Sequence, residues 1–470
     1  MARRDARPRE LIAVAALAFG LLANAGCGGG PPSFAVVTTD DVAGKTSPCG
    51  CHTPKGGLAR RAAFLDSVRS MQRHVLVLDA GGFFPPNDDE RDAGPYMLEA
   101  MGKLGTQAAG IGPDELRFGY SFLENAAARA GVALVCANLR LRATDQPALE
   151  PWTILHAGED LVGVFGLMPE GAELGPTRDT LVLRSPEQAA REAIEALHGE
   201  GARCIVLLSQ LGEARGESLV AHVPGIDLLV AGGTVPVHEQ AERLGGTTAI
   251  YGGAQGWQVG LAEVRLGAIG SRPGVEARTI VLGPEYRMEP VMAASVKAFE
   301  DSLNAHARAR DASYGPAKAG GLPADHFVGM SNCIRCHSAE YAQWQTTAHS
   351  RAWMTLVEQQ KESTPSCVPC HVTGHGRPGG FRVADDAPRY GNVQCEACHG
   401  MGTEHKAWAE DGNKVSEATC RKCHTAVTSP TFTFATYLPH VLHDPPPGLK
   451  PLPESPAARL MREGHAPHGH

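Results

Sequence analysis

Residues 333–337 read CIRCH, and the pattern Cys-x-x-Cys-His returns as CVPCH (367–371), CEACH (395–399) and CRKCH (420–424). Four copies so close together are far more than 13 cysteines and 20 histidines would produce by chance. Two residues between the cysteines form a turn that brings both thiols to one porphyrin, and the next histidine points at its iron. This predicts four covalent haem c groups, on Cys333, Cys336, Cys367, Cys370, Cys395, Cys398, Cys420 and Cys423, with His337, His371, His399 and His424 as the adjacent iron ligands.

Zinc is the alternative for paired Cys-x-x-Cys units, because thiolates and imidazoles also build tetrahedral sites. A zinc ribbon has no use for a histidine after every pair, so haem is favoured. Each iron has a second axial position: bis-histidine ligation suits electron transfer, and an open position suits small-molecule chemistry. The spare histidines of this half are His326, His349, His375, His405, His440 and His443.

The segment 325–443 holds too few aliphatic residues to build a conventional core around four haems. The porphyrins must then form its interior, close enough together for electrons to pass between them. We therefore predict a mostly helical, haem-cored domain over 325–443, with a Pro- and His-rich disordered tail at 444–470.

Upstream, short apolar runs alternate with amphipathic stretches from residue 34 to 285. This alternation predicts an α/β fold with a buried, partly parallel sheet. The polar helical stretch and loop at 286–324 form a connector. The predicted strands are FAVVTT, HVLVLDA, VALVCANL, LVGVFGLM, CIVLLSQ and IDLLVAGG, and TTAIYGGAQGWQVGLAEVRL with ARTIVLGP suggests an antiparallel finish.

The first 26 residues have the arginine-rich start and short apolar run of a signal peptide. Cys27 ends a stretch similar to a bacterial lipoprotein box, which predicts lipidation at Cys27 and a tether at 27–33; simple cleavage and soluble export is the alternative. We expect an exported protein of a Gram-negative bacterium, in the periplasm or at the cell surface and anchored to a membrane. The net charge of −8 argues against nucleic acid as a partner.

The haem segment resembles the tetrahaem cytochrome family that accepts electrons from hydroxylamine oxidoreductase in nitrifying bacteria. The resemblance is carried by GMSNCIRCHSAEYAQWQTTAHSRAW, SCVPCHVTGHGRPGGF and GNVQCEACHGMGTEH. It implies that His405 serves the first haem, that His349 serves the third, and that the second haem, at His371, is open. For the fourth haem the candidates are His440 and His443, with His326 a weaker one. Other cytochromes are the implied redox partners.

The upstream half resembles the metallophosphatase and 5′-nucleotidase superfamily through VVTTDDVAG, VLVLDAGG, GIGPDELRFG, IVLLSQLG and IDLLVAGGTV, in that order. This resemblance implies a four-layer α/β/β/α sandwich. Active members hold two metals that activate water and clamp a phosphate. Here Asp41 matches the first aspartate, but other ligand positions carry Ala43, Gly82, Pro113, Asp114, Gln210, Gly233 and Val235. Hydrolysis by that mechanism is therefore not expected.

Cys49, Cys51 and His52 lie in the loop after Asp41. Three interpretations stay open: thiol or single-metal chemistry, with His52 or Asp114 completing the ligands; a purely structural loop; and a fifth haem, which one missing residue between the cysteines disfavours. Cys136 and Cys204 lie in apolar strands and are expected to be buried and inert.

Three functions follow from these patterns. The first is an electron-carrying tetrahaem cytochrome with a degenerate phosphatase-like domain as scaffold or partner module. The second is a redox enzyme acting on a small nitrogen-oxide-type substrate at an open haem. The third is a haem-linked phosphohydrolase, which the lost ligands disfavour.

Overall fold

The computed structural model describes residues 33–48, 54–252, 255–313, 322–405, 415–425, 428–429 and 432–444. Within these residues, no helix is long and apolar enough to cross a membrane. An α/β domain comes first and a helical module follows. The strands are β1 Ser33–Thr39, β2 Val75–Asp79, β3 Ala108–Ala109, β4 Ala133–Leu134, β5 Leu139–Leu141, β6 Trp152–Ala157, β7 Asp160–Leu167, β8 Leu181–Leu183, β9 Cys204–Ser209, β10 Leu228–Ala231, β11 Glu242–Leu244, β12 Thr247–Tyr251, β13 Gln258–Arg265 and β14 Gly274–Val281.

Two six-stranded sheets dominate the α/β domain. The first has the order β14-β13-β1-β2-β3-β4, and the second β11-β12-β10-β9-β7-β6. The inner strands of the second sheet are parallel, and its two edge strands, β6 and β11, run antiparallel. In the first sheet β1 to β4 are parallel, while β13 and β14 add an antiparallel edge.

The two sheets pack face to face and are covered on their outer faces by helices. A fully buried layer between them includes Val36, Leu78, Val164, Leu208 and Ile250. Burying one such side chain stabilises the fold by about 1.5–3 kcal/mol. The outer helices are α1 Leu58–Met71, α2 Ala93–Lys103 and α3 Tyr120–Ala130 on the first sheet, and α4 Pro186–Gly199 and α5 Glu213–His222 on the second. The predicted four-layer sandwich is confirmed.

One part of the strand prediction needs correction. The run 247–266 and the stretch ARTIVLGP together predict an antiparallel finish. β13 and β14 do pair antiparallel, but the structure divides 247–266 between the two sheets. β12 pairs in parallel with β10, whereas β13 pairs antiparallel with β1 and β14. An apolar strand can pack into the layer between the sheets as a member of either sheet. The apolar pattern alone therefore does not predict which sheet the strand joins.

The remaining chain is helical. A long helix, α6 Pro290–Ser313, leaves the sandwich, and a module of short helices follows: α7 Met330–Cys333, α8 Ser338–Trp344, α9 Ala352–Glu358, α10 Val368–His371, α11 Ala387–Tyr390, α12 Cys395–His399, α13 Glu417–Cys420 and α14 Phe434–Tyr437. In the described part of this module one small apolar cluster is buried, around Phe327, Leu356, Val368, Phe381 and Tyr390.

Candidate functional site

Each Cys-x-x-Cys-His motif lies on or beside a short helical turn. In the first motif the amide of His337 donates to the carbonyl of Cys333 over 3.0 Å, and in the fourth that of His424 donates to Cys420 over 2.9 Å. The second motif forms α10 and the third forms α12. The turn that the spacing predicts is thus present in each motif, and it places both thiols and the imidazole on one short stretch of backbone.

Three motif histidines face a second histidine from elsewhere in the module. The ring centres of His337 and His405 are 6.1 Å apart. Those of His349 and His424 are 6.2 Å apart, and those of His399 and His443 are 6.0 Å apart.

These separations test whether the residues fit haem iron. With metal–imidazole bonds of about 2.0–2.1 Å, two imidazoles sharing one metal have their ring centres roughly 6 Å apart. The Nδ1 of His443 lies 3.1 Å from the Gln343 side-chain oxygen, a contact that leaves Nε2 as the coordinating nitrogen. Burial lowers the pKa of His349 to about 4, which keeps this ring neutral as a ligand must be. The three pairs therefore fit bis-histidine ligation.

The pairing differs from the one that the resemblance implied. His349 was expected to serve the third haem, but it faces His424 of the fourth motif. The third motif instead faces His443, which was a candidate for the fourth haem. The other candidate, His440, ends a short 3₁₀ helix at Leu438–His440. The partners are 44 to 75 residues apart in sequence, so local spacing carries no information about them.

His371, in the second motif, has different surroundings. Its Nδ1 donates to the carbonyl of Ala352 over 2.6 Å and lies 3.2 Å from the hydroxyl of Thr355. These contacts fix the tautomer and leave Nε2 for iron. Among the described residues no histidine ring is paired with His371. His375 instead lies against Phe381, with ring centres 6.3 Å apart, and the Nδ1 of His326 contacts the Pro323 carbonyl.

The motif thiols also approach one another in pairs. The nearness of Cys395 of the third motif raises the pKa of the Cys333 thiol of the first, and Cys370 of the second motif has the same effect on Cys423 of the fourth. None of the cysteines that the structure describes forms a disulfide, and Cys136 and Cys204 are fully buried, as predicted. The first motif therefore neighbours the third, and the second neighbours the fourth.

The second candidate site is the pocket where the sheets' parallel strands end. Asp41, directly after β1, has a left-handed backbone with φ of 43°. One carboxylate oxygen accepts from the Gln210 amide over 3.1 Å. The other accepts from the backbone N–H groups of Gly233 and Thr234 over 3.0 and 2.8 Å. Gln210 and Gly233, which stand at two of the replaced ligand positions, thus hydrogen-bond to the one aspartate that remains.

The backbone also closes this pocket sterically. A Cβ at Gly82, where active relatives of this fold carry the bridging aspartate, would lie 2.3 Å from an oxygen of Asp41. A Cβ at Gly233 would lie 2.5 Å from the carbonyl of Gln210. Both glycines have positive φ, at 70° and 86°, which further disfavours any side chain.

Four buried ionisable residues lie in the same region as Asp41, and their sequence pattern did not single them out: Asp40, Arg61, Asp79 and Glu115. Burial raises the pKa of Asp79 to about 6 and that of Glu115 to about 8, and raises that of Asp40 well above its usual range. Glu115 accepts from the N–H groups of Gly82, Phe84 and Gly112. Arg61, only 4% exposed, is close enough to lower the pKa of Asp40 and Asp79. A charged residue directly after an apolar strand, as in VLVLD, was the available signal.

The proposed soft-metal site gains no support from the described residues. Asp114 is paired with Arg117 over 2.8 Å. No group of three or more His, Cys, Asp or Glu side chains in the described part of the chain is arranged to hold a metal ion. Cys49, Cys51 and His52 lie outside the described residues, as does Cys27.

Comparisons with known proteins match both halves. The family described as "Cytochrome c554 and c-prime" matches residues 332–400. Cytochrome c-554 of Nitrosomonas europaea is 31% identical over 115 residues, which are 20% of this chain and 49% of that protein. The snake venom 5′-nucleotidase of Crotalus adamanteus is 26% identical over 222 residues, 42% of this chain and 34% of that enzyme.

A solved structure confirms the fold of the first half. The 5′-nucleotidase precursor from Thermus thermophilus superimposes with a TM-score of 0.53 at 22% identity, covering 58% of this chain and 59% of that one. The chain spans about half the length of the cytochrome it matches and about a third of the venom enzyme. Both resemblances drawn from the sequence are thus confirmed: a domain with the fold of the 5′-nucleotidases is joined to a segment similar to cytochrome c554.

Proposed function

We propose that this protein is a c-type cytochrome that carries electrons through four covalently bound haems. The observation that carries the proposal is the set of three histidine pairs with ring centres 6.0–6.2 Å apart, each including the histidine of a Cys-x-x-Cys-His motif. When bound, haem c supplies one-electron chemistry at its iron, and bis-histidine ligation holds that iron closed to substrate.

The chain's own residues have three tasks in this proposal. The thiols of each motif fix one porphyrin edge, and the motif histidine orients toward the iron from the same turn. The partner histidines, His349, His405 and His443, complete the ligation from distant segments. The thiol contacts between motifs bring the attachment points together in pairs, which suits transfer from one group to the next.

The α/β domain acts in this proposal as scaffold or partner module, not as a phosphohydrolase. Its one remaining metal ligand, Asp41, is fully hydrogen-bonded to Gln210 and the 233–234 backbone. We also propose export to the periplasm or cell surface, with a lipid anchor at Cys27, because covalent haem attachment in bacteria takes place outside the cytoplasm. Other cytochromes are the proposed electron donors and acceptors, and nucleic acid is not a proposed partner.

A second function is favoured by the surroundings of His371. Its Nδ1 is held by Ala352 and Thr355, and no ring contact joins it to another described histidine; the nearby His349 pairs with His424. An iron with one open position is suited to binding a small nitrogen-oxide-type molecule. In this alternative His371 would hold the haem at which the small molecule reacts, and the three histidine pairs would hold haems that supply or remove electrons.

A haem and ligand count on the exported, haem-loaded protein tests both proposals. Pyridine haemochrome analysis should give four haems per chain, and electron paramagnetic resonance should show three low-spin irons and one high-spin iron. A count below four would overturn the tetrahaem proposal. A high-spin signal that shifts with nitrite, nitric oxide or hydroxylamine supports the redox enzyme, and four unresponsive low-spin irons support electron transfer alone.

A further inference from the structure

The helix α6 contacts both halves of the chain. Its first part packs on the α/β domain, where Tyr96 and Phe299 stack with ring centres 3.9 Å apart. At Glu300 one carboxylate oxygen accepts from Thr46 over 3.2 Å and from Ser47 over 2.6 Å. This part of α6 is therefore fixed against the loop that follows β1.

The second part of α6 holds the turn between α9 and α10. Asn304 lies in this contact and is only 6% exposed. Its amide donates to the carbonyl of Gln360, and its side-chain oxygen accepts from the hydroxyl of Thr364 over 3.3 Å. Gln360 has φ of 57°, a left-handed conformation that a residue other than glycine adopts only when its surroundings favour it. One buried side chain thus contacts both ends of the turn.

That turn leads directly into the second haem motif. The carbonyl of Thr364 accepts from the N–H groups of Cys367 and Val368 over 3.0 and 3.1 Å, which starts α10. On the other side, the N–H of Gln360 donates to Val357, near the end of α9. These two helices hold His371: α10 carries it, and α9 supplies Ala352 and Thr355 to its Nδ1.

Charged side chains of the α/β domain also lie near the second haem motif. Lys45 and Glu90 lie close enough to the sulfur of Cys367 for their charges to act on it. Lys45 and Glu90 face each other at 3.9 Å. Both belong to the α/β domain, one in the loop after β1 and the other before α2, so the second motif lies against the sandwich.

We propose that Asn304 is a positioning residue for the second haem site, through which α6 makes the environment of that haem depend on the α/β domain. The inference rests on the proposed cytochrome function. Asn304 acts through Gln360 and Thr364, which set the ends of α9 and α10 and therefore the direction of the His371 ring. Sequence reasoning missed it because α6 is polar and its pattern does not mark position 304 as buried.

The test compares Asn304→Ala with Arg308→Gln in the full-length, haem-loaded protein. Arg308 lies one turn further along α6 and pairs with Glu362 of the same turn over 2.7 Å, but its side chain is 56% exposed. The Glu362 side chain is 19% exposed, so the variant controls for loss of a half-buried polar contact in the same interface that does not involve Asn304. A Cys367→Ser/Cys370→Ser variant identifies which signal belongs to the second haem.

Midpoint potentials and the high-spin spectrum of each variant are then measured. We expect Asn304→Ala to shift the potential or the high-spin signal of the second haem and to leave the other three unchanged, and Arg308→Gln to leave all four unchanged. The inference is overturned if Asn304→Ala matches the wild type, if it shifts all four haems alike, or if Arg308→Gln has the same effect.

Asn304→Asp covers the case in which the alanine variant does not fold or load haem. It keeps the side-chain size and the acceptor for Thr364, but it replaces the donor to Gln360 with a carboxylate oxygen. The same selective shift is expected, and its absence counts against the proposal. Fewer than four haems in the wild type would defeat the proposed function itself. Four haems with an unaltered second site in both Asn304 variants would defeat only this inference.

Discussion

The candidate ligands of the α/β domain and those of the helical module differ in whether they are free to bind a metal. In the pocket of the α/β domain, Asp41 is saturated by an amide and two backbone N–H groups, and glycines leave no room for the lost ligands. In the module, three histidine pairs keep the separation that one shared iron requires. Hydrogen bonds occupy the carboxylate at the first position, whereas the histidines at the second keep the separation that our proposed cofactor needs.

The two regions also differ in what stabilises them. The sandwich has three extensive apolar clusters, but the described part of the module has one small cluster. Small domains with little apolar core need covalent or cofactor support to fold. We therefore attribute the stability of the sandwich to its buried apolar side chains, and we expect that of the module to depend on the haems proposed above.

The largest expected effect comes from removing the haem attachment sites. Replacing the eight motif cysteines with serine should abolish the compact fold of the module and leave the sandwich folded, because only the module depends on haem for its interior. Limited proteolysis followed by mass spectrometry should then show rapid cleavage beyond α6 and a resistant fragment containing β1 to β14. Equal protease resistance of the module in the variant and the wild type would contradict the comparison.

Removing the buried cation of the closed pocket should have the next largest effect. Arg61→Met leaves Asp40 and Asp79 buried without their nearby positive charge, and the free energy of unfolding of the sandwich should fall by about 3 kcal/mol. Urea denaturation measures the loss. The control, Arg265→Gln, removes an exposed pair with Glu276 and should change stability by less than about 1 kcal/mol. Similar losses in both variants would mean that Arg61 does not have this role.

Restoring a metal ligand should not restore metal-dependent hydrolysis. This result is expected if the pocket is sterically closed, but not if the pocket is open and merely lacks one ligand. Gly82→Asp places a side chain where Asp41 already lies, so we expect a loss of about 1–3 kcal/mol and no phosphate release with added Mn²⁺. Gly171→Asp is the control, because a Cβ at Gly171 meets nothing within 4 Å. Metal-dependent hydrolysis in the Gly82 variant, or in the wild type, would overturn our account of the pocket.

The features of the fold and of the site that could be predicted are those that a short stretch of sequence specifies. The helical turn of each motif and the parallel strands follow from short patterns, so both were predicted. The pairing of His349 with His424 joins segments 75 residues apart, and no local spacing specifies it. Arg61 and Asn304 were missed for a related reason: each is a polar residue in a polar stretch of helix, and only tertiary packing buries it.

The smallest expected effect is a pH dependence confined to the sandwich. Asp79 has a pKa of about 6 in the folded chain, raised by burial from its ordinary value near 4, so the folded state binds this proton more tightly than the unfolded state. Asp79 therefore lowers stability as the pH rises from about 4 to 6, by roughly 1–3 kcal/mol. Asp79→Asn should remove this decline and keep the bonds to Thr39 and Gly81, because its amide can donate to one and accept from the other. Urea denaturation at pH 4, 5, 6 and 7 measures the slope, and an unchanged slope would place the pH dependence elsewhere, with Glu115 the next group to replace.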